Sequence, residues 1–313
     1  TLLECPDLDY LSSPNVYDRI MGEDWPPMAA VQSIQLHGKL WMAENDTRTS
    51  LTTLLKDRRP AICPPGQYES GVWLGPRDIR TSVALLEKDL GRMLCYGYGG
   101  WWFDMWGGWF SDPALQEVLR KSVALTARYC GQEMNLPSPQ VCVITDEKLL
   151  FRDASFGGLV GDIYSNRSSL GRSGSPYDLY LRCDSGRLPE GRPYRAIWLL
   201  GISELTPEET ERFENWLSSG ISVIWTGLDG TTIYPRSGVK IQFPGRLKWS
   251  AEELRKLWKE CGAHVYLDTD DVLYAGKGWM SIHTVSGGER NVQLPFPARV
   301  IDPLSGDLIA GPS

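Results

Sequence analysis

The chain has 313 residues, enough for two domains and a sizeable core. Its formal charge is −7 with no basic run or stripe, so no nucleic acid partner is expected, and no apolar run approaches the ~18 residues of a membrane span. The seven cysteines (Cys5, Cys63, Cys95, Cys130, Cys142, Cys183 and Cys261) are scattered, without a CxxC pair or Cys/His ligand spacing. They read as mostly reduced core thiols, and neither a disulfide framework nor a metal or cofactor site is expected. Thirteen Trp and thirteen Tyr are many for this length. Aromatic faces stack on sugar rings, and they also build ordinary aromatic-rich cores. The chain begins with Thr1 and shows no signal peptide, and a cytoplasmic location is expected.

In chain order, a short apolar segment at 8–11 contains Asp9 and ends in Ser12-Ser13-Pro14, which reads as a strand and a turn. A helix follows over 28–36 and is stopped by Gly38. The run Leu40-Trp41-Met42-Ala43 suits a buried strand, with the polar cluster Glu44, Asn45, Asp46, Thr47 and Arg48 at its C-terminal end. In a (β/α) barrel, catalytic groups sit at that end, and a carboxylate there suits a glycosidase nucleophile. The same residues also suit a capped strand–helix junction, with Asp46 or Thr47 as N-cap and Arg48 as its ionic partner. Residues 60–76 are Pro-rich and read as an irregular loop. Ile79, Val83, Leu86, Leu90 and Leu94 recur at helical spacing over 77–94.

Then comes GYGGWWFDMWGGWF over 97–110. A strand at 101–103 leaves Asp104 at its end, with Trp106 and Trp109 on a Gly-rich loop. Trp102, Trp106 and Trp109 are candidate stacking walls for a sugar. Asp104 is a candidate for holding hydroxyls, or alternatively a loop cap. Trp101 is expected in barrel packing. Asp112 caps, and Pro113 opens, a helix to about 128. Residues 1–138 thus read as three β/α units, too few to close a barrel and open at both edges.

Residues 139–313 continue as an α/β domain. Strands are expected at 141–144, 195–200 and 221–225, with helices opened by Thr206-Pro207 and by Ser250, each with acids in the first turn. This succession suits a flavodoxin-like or amidotransferase-like sheet. The turn after the third strand, Thr226-Gly227-Leu228, has no Cys nucleophile, so a non-catalytic relative is favoured. Alternating segments at 272–275, 279–283 and 292–294 read as a meander. Asp268, Asp270 and Asp271 fail the EF-hand pattern, and His37, His264 and His283 read as surface or structural groups.

Three pieces in this order resemble the C-terminal part of the catalytic barrel of glycoside hydrolase family 42, the β-galactosidase-like type. They are DLDYLSSPNVY at 7–17, HGK with ENDTRT at 37–49, and WWFDM with Gly108-Trp109 at 101–109. The resemblance implies strands six, seven and eight of that barrel, followed by a trimerisation-type α/β domain. It implies a retaining mechanism on a carbohydrate substrate in which Glu44 is the nucleophile, with Asp104, Trp102, Trp106, Trp109, Arg48 and Asp9 at the sugar subsite. The family's acid/base Glu belongs to strand four, upstream of Thr1. The expectation is therefore a retaining β-glycosidase seen as a portion lacking the acid/base strand. The alternative is a catalytically inactive carbohydrate-binding or oligomerisation relative.

Overall fold

The computed structural model describes residues 2–129, 138–151 and 158–311. Cys130 and the stretch before the expected boundary at 138 lie outside the described residues. Both halves are mixed α/β with parallel sheets, followed by short antiparallel strand pairs.

The first unit contains β1 (Tyr10–Pro14), α1 (Val31–Leu36), β2 (Leu40–Asn45), the single turn α2 (Leu55–Arg58), α3 (Ile79–Tyr96), β3 (Gly99–Trp102) and α4 (Pro113–Tyr129). The strands form one parallel sheet in the order β1-β2-β3, with Pro14, Glu44 and Trp101 level with one another. Strand residues alternate faces, and the burial along β2 follows that period. Trp41, Ala43 and Asn45 are buried toward the helices, whereas Leu40 is 64 % exposed. Trp41 packs with Val31 and Ile34 of α1. The other face carries Tyr10, Leu40, Met42, Glu44 and Trp101. Asp78 caps α3 through the Thr81 N–H, and Gly97 ends it in the left-handed region at φ 67°. Gly100 is a close-approach position: a Cβ there would meet the Ala43 carbonyl oxygen at 2.7 Å.

The second unit contains β4 (Val141–Thr145), α5 (Leu159–Gly171), β5 (Tyr177–Leu181), β6 (Ala196–Leu200), α6 (Pro207–Ser218), β7 (Ser222–Gly227), β8 (Gly230–Tyr234), β9 (Ile241–Pro244) and α7 (Ala251–Cys261). Its sheet runs β5-β4-β6-β7-β8-β9, parallel through β7 and antiparallel beyond. The central strands are apolar on both sides because both sides are covered. Val141, Val143 and Trp198 pack toward α5 and α7, and Ile144, Ile197 and Leu199 toward α6. Thr206/Glu209 and Ser250/Glu253 close capping boxes at the starts of α6 and α7. The described thiols of Cys95, Cys142 and Cys261 are buried, those of Cys5 and Cys63 half-buried and that of Cys183 exposed. No helix among the described residues is long and apolar enough to cross a membrane.

The units meet along α1, whose side chains satisfy the edge of β5. The Leu179 N–H donates to Gln32 Oε1 at 3.1 Å and the Leu181 N–H to Ser33 Oγ at 2.8 Å. His37 Nε2 lies 2.8 Å from Asp184 Oδ1 across the same boundary. The expected three-stranded meander is instead a hairpin of β10 (Val272–Gly276) and β11 (Trp279–His283), while Val292 bridges Leu267. A smaller pair, β12 (Val300–Ile301) and β13 (Leu308–Ala310), follows. The β10–β11 hairpin turns back onto α3. A Cβ on Gly91 would meet Ser281 Oγ at 2.2 Å, and one on Gly276 the Cys95 carbonyl oxygen at 2.6 Å.

Candidate functional site

Glu44 is the penultimate residue of β2, the central strand, and lies on the face that no helix covers among the described residues. It is half-buried, and its carboxylate makes no hydrogen bond or ion pair among the described residues. Its level neighbour on β3 is Trp101, 38 % exposed. Gly99 leaves room beside Met42 on the same face, where an added Cβ would lie 2.8 Å from the Met42 sulfur. The face is therefore a shallow floor of Tyr10, Leu40, Met42 and Trp101 with one acid at its C-terminal rim.

The loop after Glu44 is buried and fastened from several sides. Asn15 Nδ2 donates to Asn45 Oδ1 at 3.3 Å, and Arg19 Nη1 to the Asp46 carbonyl at 2.7 Å. Thr47 Oγ1 donates to Asp89 Oδ2 at 2.5 Å, and Thr49 Oγ1 to the Trp109 carbonyl. No helix starts at Asp46 or Thr47, so the capped strand–helix junction is not formed. The ionic part of that alternative is formed, since Arg48 Nη1 pairs with the Asp46 carboxylate.

Arg48 does not reach Glu44. Its guanidinium lies 4.5 Å from the Trp109 ring centroid and 5.2 Å from that of Trp73, and the residue is 5 % exposed. Burial, and then the nearby Arg19 charge, lower its pKa to about 10. Arg48 is thus part of the wall behind the site.

The aromatic assignments divide in the same way. Trp109 is fully buried, and its ring meets Trp106 edge-to-face at 5.3 Å, so it supplies no stacking platform. Trp102 is level with Asn45 and packs into the covered cluster of Leu86, Trp109, Phe110, Leu115 and Val118. Trp106 packs on that cluster and donates from Nε1 to the Thr53 carbonyl at 3.0 Å. Trp101, expected in packing, is the one that flanks Glu44. Asp104 caps its own loop, accepting from the Gly107 N–H at 2.9 Å and the Trp109 N–H at 3.3 Å. Asp9 precedes β1 and accepts from the Leu40 N–H, at the opposite end of the sheet from Glu44. Five strand residues separate its level from that of Glu44, about 16 Å.

Of the expected site residues, then, Glu44 stands on the open face. Trp102, Trp109 and Arg48 support it from behind, Asp104 and Trp106 shape the β3–α4 loop, and Asp9 is remote. Sequence reasoning missed Trp101, Trp73, Arg19 and Asp89. A period-two reading of Trp101-Trp102 separates the two faces, and the register decides which one is open. In the second unit, Asp268, Asp270 and Asp271 pair separately with Lys259, Arg255 and Arg290. No group of three or more His, Cys, Asp or Glu side chains is placed to hold a metal ion among the described residues.

Comparison of the chain with models of protein families, with curated proteins and with solved structures found no match.

Proposed function

We propose that the chain carries the nucleophile half of a retaining β-glycosidase of the β-galactosidase-like type, with Glu44 as nucleophile and Trp101 as the sugar-stacking wall. One observation carries the proposal: a carboxylate without a partner among the described residues, at the C-terminal end of a central parallel strand, on the face away from the helices and beside an exposed indole. In such a mechanism the Glu44 carboxylate bonds to the anomeric carbon as the glycosidic C–O bond breaks. A second carboxyl group ~5–5.5 Å away protonates the leaving oxygen and later activates water. Glu44 is the only acid that the three strands present on that face. On this reading the acid/base group is supplied by a further β/α unit or by another chain. In this proposal β1, β2 and β3 are strands six to eight of a (β/α)8 barrel. The 2-1-3-4 order of β4 to β7 is that of a flavodoxin-like domain, here of the trimerisation type. Its partners on this reading are a carbohydrate substrate and further copies of the chain in a homo-oligomer.

The test is labelling with 2-deoxy-2-fluoro β-glycosyl fluorides, followed by peptide mass spectrometry. Fluoride departs without protonation, so the label forms even where the acid group is absent. A sugar adduct on Glu44 that disappears in Glu44→Gln is the expected result. Sugar binding without an adduct favours a binding-only relative, and neither binding nor adduct overturns the proposal.

A further inference from the structure

We infer that Tyr274, on the β10–β11 hairpin, is a positioning residue for the loop that carries Glu44, acting through a buried polar relay. Tyr274 Oη donates to Asp24 Oδ1 at 2.5 Å. The same Asp24 oxygen lies 3.7 Å from Arg92 Nη1. Arg92 Nη2 donates to Asp89 Oδ1 at 2.8 Å, and Asp89 Oδ2 accepts from Thr47 Oγ1 at 2.5 Å. Thr47 is three residues beyond Glu44. All five members are at most 3 % exposed.

Burial gives the relay its stiffness. A charge removed from water is held only while its partners stay in place, so each member fixes the orientation of the next. Arg92 is the central member. It also donates to the Trp25 carbonyl, and the Tyr274 ring lies 5.6 Å from its guanidinium carbon. The hairpin that supplies Tyr274 has little freedom on α3, because Ser281 and Gly276 meet the helix at Gly91 and Cys95 with no space for an added methyl. Lys88 completes the surroundings, donating to the Glu23 carbonyl at 2.6 Å with its ammonium 4.1 Å from the Trp25 ring centroid. The seat of the hairpin on α3 thus sets Asp24, Asp24 and Asp89 set Arg92, and Asp89 sets the hydroxyl of Thr47. The far side of the loop is also held by the bonds of Asn15 to Asn45 and of Arg19 to the Asp46 carbonyl, so losing the relay loosens one edge of the site and leaves the sheet intact.

The consequence for chemistry rests on the assignment of Glu44 as nucleophile. The relay itself is tested without it, by amide hydrogen exchange on the full chain read by mass spectrometry. Tyr274→Phe keeps the ring and removes the hydroxyl. The expected result is about tenfold faster exchange in peptides spanning 44–52, with those over β4 and β6 unchanged. Thr47→Val, at the other end, should accelerate the same peptides. The double variant should exchange no faster than the faster single variant, because both break one relay. Unchanged exchange at 44–52 in Tyr274→Phe, multiplied factors in the double variant, or a uniform rise across both units would each overturn the inference. A failed labelling at Glu44 would leave these exchange results as they stand.

Discussion

Glu44 and Trp101 are level partners on adjacent parallel strands, and both stand on the side of the sheet that the helices leave bare. The next pair, Asn45 and Trp102, faces the helices. One step along the chain therefore separates an indole available to a ligand from one committed to the core.

That separation gives opposite outcomes for two neighbouring substitutions. Trp101→Ala should weaken sugar binding about tenfold in titration calorimetry and leave the urea midpoint unchanged. Trp102→Ala should lower stability by about 2–4 kcal/mol, because it empties space against Leu86, Trp109 and Leu115. Loss of stability in Trp101→Ala with no change in binding would return Trp101 to the packing role first assigned to it.

His283 ends β11, level with Val272, and is 7 % exposed. Burial, and then the Lys88 charge, lower its pKa from 6.5 to about 4. Between those values the unfolded chain binds the proton that the folded chain refuses, so stability is fully present above pH 6.5 and falls as the pH drops toward 4. The limiting size is about 3 kcal/mol. His283→Gln should flatten the stability curve between pH 6.5 and 4 in urea unfolding. An unchanged acid limb would mean that the imidazole is charged in the folded protein.

Gly91 lies inside α3, where Gly→Ala ordinarily stabilises a helix by about 1 kcal/mol. Here the sign reverses. The new methyl would lie 2.2 Å from Ser281 Oγ, so Gly91→Ala should cost about 1–3 kcal/mol by overpacking. Ser281→Gly in the same chain should recover most of that loss, and thermal unfolding of the pair and the two singles checks it. Equal melting of Gly91→Ala and the parent would show that the hairpin rides looser on α3.

The residue pattern carried the α/β class, β2, β3 and the helices with strong ends, whereas Ser12-Ser13-Pro14, expected as a turn after a strand at 8–11, lie within β1 and pair with β2. Asp112, Thr206 and Ser250 each open a helix in the expected place, because a cap and an apolar period are local properties. It did not carry α5 or β5. The first contains Gly161 and a run of Asn and Ser, and is held by long-range bonds such as that between Asn166 Nδ2 and the Leu247 carbonyl. The second has Asp178 as its second residue, buried and satisfied by the Tyr194 hydroxyl at 2.6 Å. The position of Glu44 at the C-terminal end of β2 was legible from its place after an apolar run. The roles of Arg48, Trp109 and Asp9 were not. Burial in a loop, and which end of the sheet a residue occupies, depend on partners distant in sequence.

The hairpin seated on α3 has a consequence for biosynthesis. Asp24 and Arg92 leave the ribosome long before Tyr274, which is 250 positions from Asp24. At ~5–20 residues per second, the interval between the end of α4 and the end of β11 is roughly 10–30 s. Throughout it, the surface of α3 that receives the hairpin is without its cover, and Asp24 and Arg92 are without the Tyr274 hydroxyl. A nascent chain of this protein therefore carries an unfinished first unit until β11 has been made, and that interval is when chaperone capture or misassembly competes with folding.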